Sequence, residues 1–161
     1  DKCTWAVLAL TLDIELFTQL HYRESIEPDD ELSDLFKDIF LYHWKEESQH
    51  AILDEIEWKR HDAALSAAER DRAVDQFIEL VGAVDGILRT QADADAGYFA
   101  RNSGRPVDEA EHTAVERAFL KAYRWQYIHS GAQHPHFGKV LSGRVTEAQM
   151  ARIQQALAAL A

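Results

Sequence analysis

The feature that most constrains this chain is how rarely its helical patterns are broken. Its 161 residues contain three Pro and seven Gly, and most of these fall between periodic segments: Pro28, Gly104 with Pro106, Gly131 with Pro135, and Gly138 with Gly143. No stretch shows the apolar and polar alternation of a strand, and no internal repeat or low-complexity tract interrupts the pattern. Five helices follow. The first is expected over about Trp5 to Ser25, and the second over about Asp30 to His61, after Pro28 and two acids that suit a helix N-terminus. The third opens at a capping box, Ser66 with Glu69, and runs towards Arg101, with Gly82 and Gly86 as points where it could kink or split. The fourth starts at a second such pair, Asp108 with Glu111, and ends near Gly131, while a short fifth begins at Thr146. His134-Pro135-His136, bounded by Gly131 and Gly138, reads as a turn. The expected fold is all-α: a bundle of four long helices plus a short C-terminal helix, in one domain over residues 1–161.

Charge and composition remove several classes of function. A net charge of -11, with the 17 Lys and Arg residues scattered among acids, repels phosphate backbones and anionic lipid, so neither nucleic acid nor membrane is an expected partner. The most apolar stretch, Trp5 to Leu12, meets Asp13 and Glu15 well short of the ~20 residues of a membrane span. A single Cys3 forms no intrachain bridge, so the default compartment is reducing cytoplasm. The first residue is Asp rather than an initiator Met and a helical pattern begins at once, which raises the expectation of a C-terminal part of a longer chain.

The chemistry gathers on the second helix. At about 100° per residue, Phe36, Phe40, His43, Glu47, His50, Asp54 and His61 share one stripe, in which aromatic residues give way to imidazoles and acids. The aromatic end predicts an inward face, and a buried row of polar groups needs partners, because an unpaired carboxylate or imidazole costs several kcal/mol. A divalent metal is an efficient partner. In His43-x-x-x-Glu47-x-x-His50, spacings of four and three bring all three side chains within about one and a half turns, suited to a first-row transition metal. Glu15 adds a carboxylate from the first helix, on the face of Leu8, Leu12 and Gln19. If the chain turns back around residues 26 to 32, Glu15 comes level with residues 47 to 50. Di-iron sites in helical bundles are assembled in this way, from single Glu residues and Glu-x-x-His pairs on facing helices.

Glu15 followed by His43-x-x-x-Glu47-x-x-His50 resembles the later ligand set of the ferritin-like di-iron oxygenases of the p-aminobenzoate N-oxygenase type. In that family a Glu helix precedes a His-x-x-x-Glu-x-x-His helix, and the extra His separates it from ferritins and rubrerythrins. The likeness covers residues 15 to 50. It implies a ferritin-like bundle and a pair of iron ions, with manganese as a variant. It also implies dioxygen, an electron donor and a small organic substrate as partners, with N-oxygenation of an amine as the expected reaction. Glu47 would bridge or cap the metals, His43 and His50 would supply imidazole nitrogens, Glu15 a carboxylate, and Asp54 would orient an imidazole from one turn beyond. The family's earlier Glu and Glu-x-x-His pair have no counterpart upstream of Glu15 in this sequence. Either a preceding part of the protein carries them, or residues further on complete the site. Asp95 on the third helix and Gln126-x-x-His129 on the fourth are the candidates, although a simple hairpin leaves Asp95 about 20 Å from the level of Glu47 at 1.5 Å per residue.

Two other classes stay open. A ferroxidase or iron-storage protein usually has a long crossover between the second and third helices, where this chain has only residues 62 to 66. A metal-free helical binding or interaction module would use the same stripe to line a groove. A homodimer is a further option that no residue pattern decides. Among the remaining residues, His21, His61, His112, His134 and His136 read as surface or loop positions. Trp44, Trp58, Trp125, Tyr123 and Tyr127 read as core, and Glu24, Glu46 and Glu55 as a solvated face.

Overall fold

The first helix, α1 (Thr4–His21), is apolar on nearly every side, and a helix of that kind has to be buried all round. A computed structural model describing residues 2–160 shows how this is met. The described residues form helices and connecting turns, with no strand among them. Trp5, Ala6, Ala9, Leu12, Leu16 and Phe17 are buried, and α1 packs against α2 (Asp34–Ala64), α3 (Ala67–Asn102) and the turns at residues 125–132 that follow α4 (Glu109–Arg124). Two shorter helices follow, α5 (Pro135–Ser142) and α6 (Glu147–Ala158). No helix among the described residues is long and apolar enough to cross a membrane.

Sequence signals fix most boundaries. Ser66 accepts from the Glu69 amide while the Glu69 carboxylate takes the Ser66 amide, and Thr146 with Gln149 repeats the device at α6. At α4 only half of the expected box forms: Asp108 accepts from the Glu111 amide at 2.8 Å, but the Glu111 carboxylate turns to the Arg105 guanidinium instead. The second helix starts later than expected. Ser33 is its N-cap, accepting from the Phe36 amide at 3.3 Å, and Asp29 holds the Glu31 amide at 2.8 Å in the preceding turn. Gly82 and Gly86 do not split α3, which runs unbroken for 36 residues.

One local expectation fails. His134-Pro135-His136 opens a helix rather than making a simple turn. Proline is favoured at a first helical position, where its missing N–H costs nothing, and the His134 ring nitrogen caps the His136 amide at 3.1 Å. α1 and α4 also both end in a π turn, over Tyr22–Ile26 and Trp125–His129, the second followed by one closing turn at Ser130–Ala132.

The core lies where α1, α2, α3 and α5 meet. Trp5 and Trp58 pack edge to face with ring centroids 5.0 Å apart, and Phe137 stacks on Trp58 at 6.1 Å. Asp62 accepts from the Trp5 indole at 2.9 Å and from Arg70 at 2.7 Å, which ties the α2–α3 corner to the start of α1. Not every aromatic residue assigned to the core is there. Trp58 is fully buried, whereas Trp125 is 53% exposed and Tyr127 41%.

Candidate metal centre

α1 and α2 run antiparallel, and one register accounts for three pairings along them: Trp5 with Trp58, Glu15 with Glu47, and His21 with Phe40. Tight packing at the tryptophan end therefore fixes the level at which the two glutamates meet. Candidate ligand atoms of Glu15, Glu47 and His50 all lie within 4.8 Å of one another, and no other group of three such residues comes together among the described residues. His43 adjoins it. Its Nε2 is 2.6 Å from one Glu47 oxygen, and His50 Nδ1 is 2.7 Å from the other.

The electrostatics of the cluster are those of a site short of positive charge. Burial pushes the Glu15 carboxyl up to about 8, helped by its hydrogen bond to Glu47 and by the negative charges of Glu47 and Asp54. Glu47 is held below the ordinary carboxylate range, first by the hydrogen bond with Glu15 and then by the imidazoles of His50 and His43, against the opposing effect of burial. The two carboxylates thus titrate as a pair, with the proton favoured on Glu15 by its burial. A metal ion bound by both can replace that proton. Two carboxylates and one or two imidazoles form a donor set suited to iron, manganese or zinc.

The stripe on α2 is less buried than its aromatic end predicts. Phe36 is 39% exposed, the side chains of His43 and His50 are each 47% exposed, and only Ala51 and Trp58 of the whole helix are buried. α1 covers one flank of the stripe and leaves the other open. Along that open flank Leu35, Ile39, Tyr42, Leu53 and Ile56 are all exposed. On the covered side, His43 borders a cavity of about 540 Å³ lined by Phe17, Phe40, Trp44, Tyr123 and Tyr127, with Gln126 among its polar groups. His21 also lines it, and its Nδ1 is buried without a hydrogen-bond partner.

The remaining candidates separate. Asp54 reaches the site through its charge on Glu15. Asp95 is engaged elsewhere, accepting from the Tyr123 hydroxyl at 2.5 Å and from Gln91 at 2.9 Å. Gln126 and His129 do not act as a pair. The π turn carrying them holds more residues per turn than an α-helix, so side chains three apart diverge, and His129 lies in a different cavity with Nε2 3.4 Å from the Leu160 carbonyl oxygen. His136, read as a loop residue, sits 2.7 Å from Glu55, itself mostly covered rather than solvated. Asp13 entered the sequence reading only as an acid that interrupts an apolar stretch, although the signal that exposed Glu15, an acid in an all-round apolar helix, applies to it equally. No family model, curated protein or solved structure matches the chain.

Proposed function

We propose that this protein is a metal-dependent oxygenase of the ferritin-like kind, acting on a small aromatic substrate, with N-oxygenation of an amine as its reaction and iron as its metal. One observation carries this: the facing carboxylates of Glu15 and Glu47 meet His50 within 4.8 Å, and His43, bonded to the same Glu47, borders an aromatic-lined cavity. Acids brought together at the cost of mutual repulsion, next to a space shaped for a ring, are the arrangement expected of a metal site with an adjoining substrate pocket.

Glu15, Glu47 and His50 would hold the ion, with His43 beside them. Iron, when bound, supplies the binding and reduction of dioxygen, and the electrons come from an external donor. The chain's own residues do the rest. Glu15 gives up its proton as the ion enters, which makes occupancy depend on pH. Phe17, Phe40 and Trp44 exclude water from one side of the substrate cavity, and Gln126 offers an amide to orient a polar substituent. A pair of ions rests on the likeness in residues 15 to 50, since the described residues bring together ligands for one.

Elemental analysis of the purified protein after anaerobic loading with Fe(II) tests this, beside Glu15→Ala and His50→Ala. Stoichiometric iron in the parent, lost in both variants while circular dichroism stays helical, is the expected result. It would be followed by oxygen-consumption assays with aromatic amines. A folded parent that retains no iron or manganese would overturn the metal reading and leave a helical binding module.

A further inference from the structure

A second acid on α1 faces the other way. Two residues along a helix turn it by about 200°, so Asp13 points away from the side on which Glu15 meets α2. Asp13 is buried to within 5% of full coverage, and its Oδ1 has no hydrogen-bond partner. Burial pushes its carboxyl well above the ordinary value. Gly131 lies across the helix contact, where an added Cβ would come within 2.7 Å of that oxygen. Nothing in its surroundings donates to it, and an unsatisfied buried carboxyl of this kind requires a physical account.

The cavity it lines supplies one. Asp13 lies in the wall of a space of about 640 Å³, walled mostly by apolar side chains including Phe77, Ile78, Phe137 and Met150, with Tyr127 and Gln154 as its other polar groups. That volume falls within the range of small-molecule sites, which are mostly apolar with a few placed polar groups. The lining contains no Lys, Arg or His, and Asp13 is its one acidic side chain. A cation beside it would favour the ionised carboxylate that burial alone disfavours, an anion would oppose it, and a pure hydrocarbon would leave the carboxyl unpaired. A ligand with a protonated nitrogen at the end of an apolar body satisfies both walls at once.

We infer that the cavity between α1, α3, α5 and α6 is a binding site for an amphipathic amine, with Asp13 pairing its ammonium group. It stands apart from the metal centre, from which α1 separates it, and does not depend on a metal being bound.

The chain's single methionine, Met150, lines this cavity, so its methyl group reports on it alone. The experiment is a titration of ¹³C-methyl-methionine protein, with the resonance assigned through Met150→Leu, against phenylbutylamine, phenylbutanol and phenylbutyrate. The phenyl ring should shift the Met150 methyl saturably with the amine, and the amine should bind about tenfold or more tighter than the alcohol, the usual margin of a charge-assisted hydrogen bond over a neutral one. The carboxylate should not bind. Asp13→Asn should remove the preference for the amine over the alcohol while leaving alcohol binding in place. An unmoved Met150 methyl at millimolar amine would overturn the site, leaving a buried water as the partner of Asp13. Equal binding of all three probes to the parent, or an undiminished amine preference in the variant, would overturn the role of Asp13.

Discussion

The two acidic faces of α1 carry nearly the same side chain, two residues apart on one helix, and meet opposite fates. Glu15 looks towards α2, where Glu47 and His50 converge on it, and its proton is shared. Asp13 looks towards Gly131 and an apolar cavity, and its oxygen is bonded to nothing. Burial raises both carboxyls, so burial alone does not tell a metal ligand from a solitary acid. What differs is the neighbouring element. α2 sets imidazoles and a second carboxylate at the right level, whereas the end of α4 offers a bare backbone. The proposed ion site rests on convergence, and the proposed site for an organic cation on isolation.

The largest effect should come from closing the Asp13 side by force. Gly131→Ala places a methyl 2.4 Å from the Asp13 carbonyl oxygen, too close for any side-chain adjustment to relieve. Overpacking of this kind costs about 1–3 kcal/mol and more when backbone must move, and here about 3 kcal/mol is expected. For a chain of this size that lowers the melting temperature by roughly 6–12 °C. A melting temperature within about 2 °C of the parent would mean that α1 and α4 are not held as closely as the contact requires.

Asp13→Asn tests isolation through pH. The folded carboxyl titrates well above its ordinary 3.8, so the folded state holds a proton that the unfolded chain has released. Stability from this source is therefore full below pH 3.8 and is lost as pH rises towards the folded value. Asn does not titrate, so the variant's melting temperature should gain on the parent from acid to neutral pH. A constant difference across that range would show that Asp13 is not desolvated.

Glu15→Gln should show the same sign over a defined window and with a smaller slope, because Glu15 is only half-buried and screened by solvent. In metal-free protein the variant gains on the parent between pH 4.5 and about 8 and levels off above it. With Fe(II) present the order should reverse, since the parent alone is stabilised by the ion. Absence of that reversal would remove Glu15 from the ligand set.

Much of this contrast was legible beforehand on one side only. The stripe from His43 to His50 and the return of the chain near Pro28 were enough to set Glu15 beside Glu47, because antiparallel helices joined by a short turn have little freedom of register. The capping residues Ser66 and Thr146 marked helix starts for an equally local reason. Asp13 was passed over because periodicity was followed along one face of α1, and the partner that defines its environment, Gly131, is more than a hundred residues away in sequence. The openness of α2 was also hidden. Phe36 reads as inward-facing from its apolar character, but whether a face is covered depends on how many neighbours the fold supplies, and here α1 covers only one flank.

A third acid completes the comparison by belonging to neither side. Asp95 on α3 is neither isolated nor convergent: it accepts from Gln91 one turn away and from the Tyr123 hydroxyl, and these bonds hold it below the ordinary carboxylate range. In return the same hydrogen bond pushes the Tyr123 phenol up from 10.0 to about 12. Asp95→Asn replaces a charged acceptor by a neutral one at a partly exposed position, so the melting temperature should change less than in any variant above. Iron content should be unchanged, and the Tyr123 ring resonances should titrate closer to 10.0. Loss of bound iron in this variant would place Asp95 in the ligand shell after all, and would mean that the short α2–α3 turn does not keep that end of α3 away from Glu47.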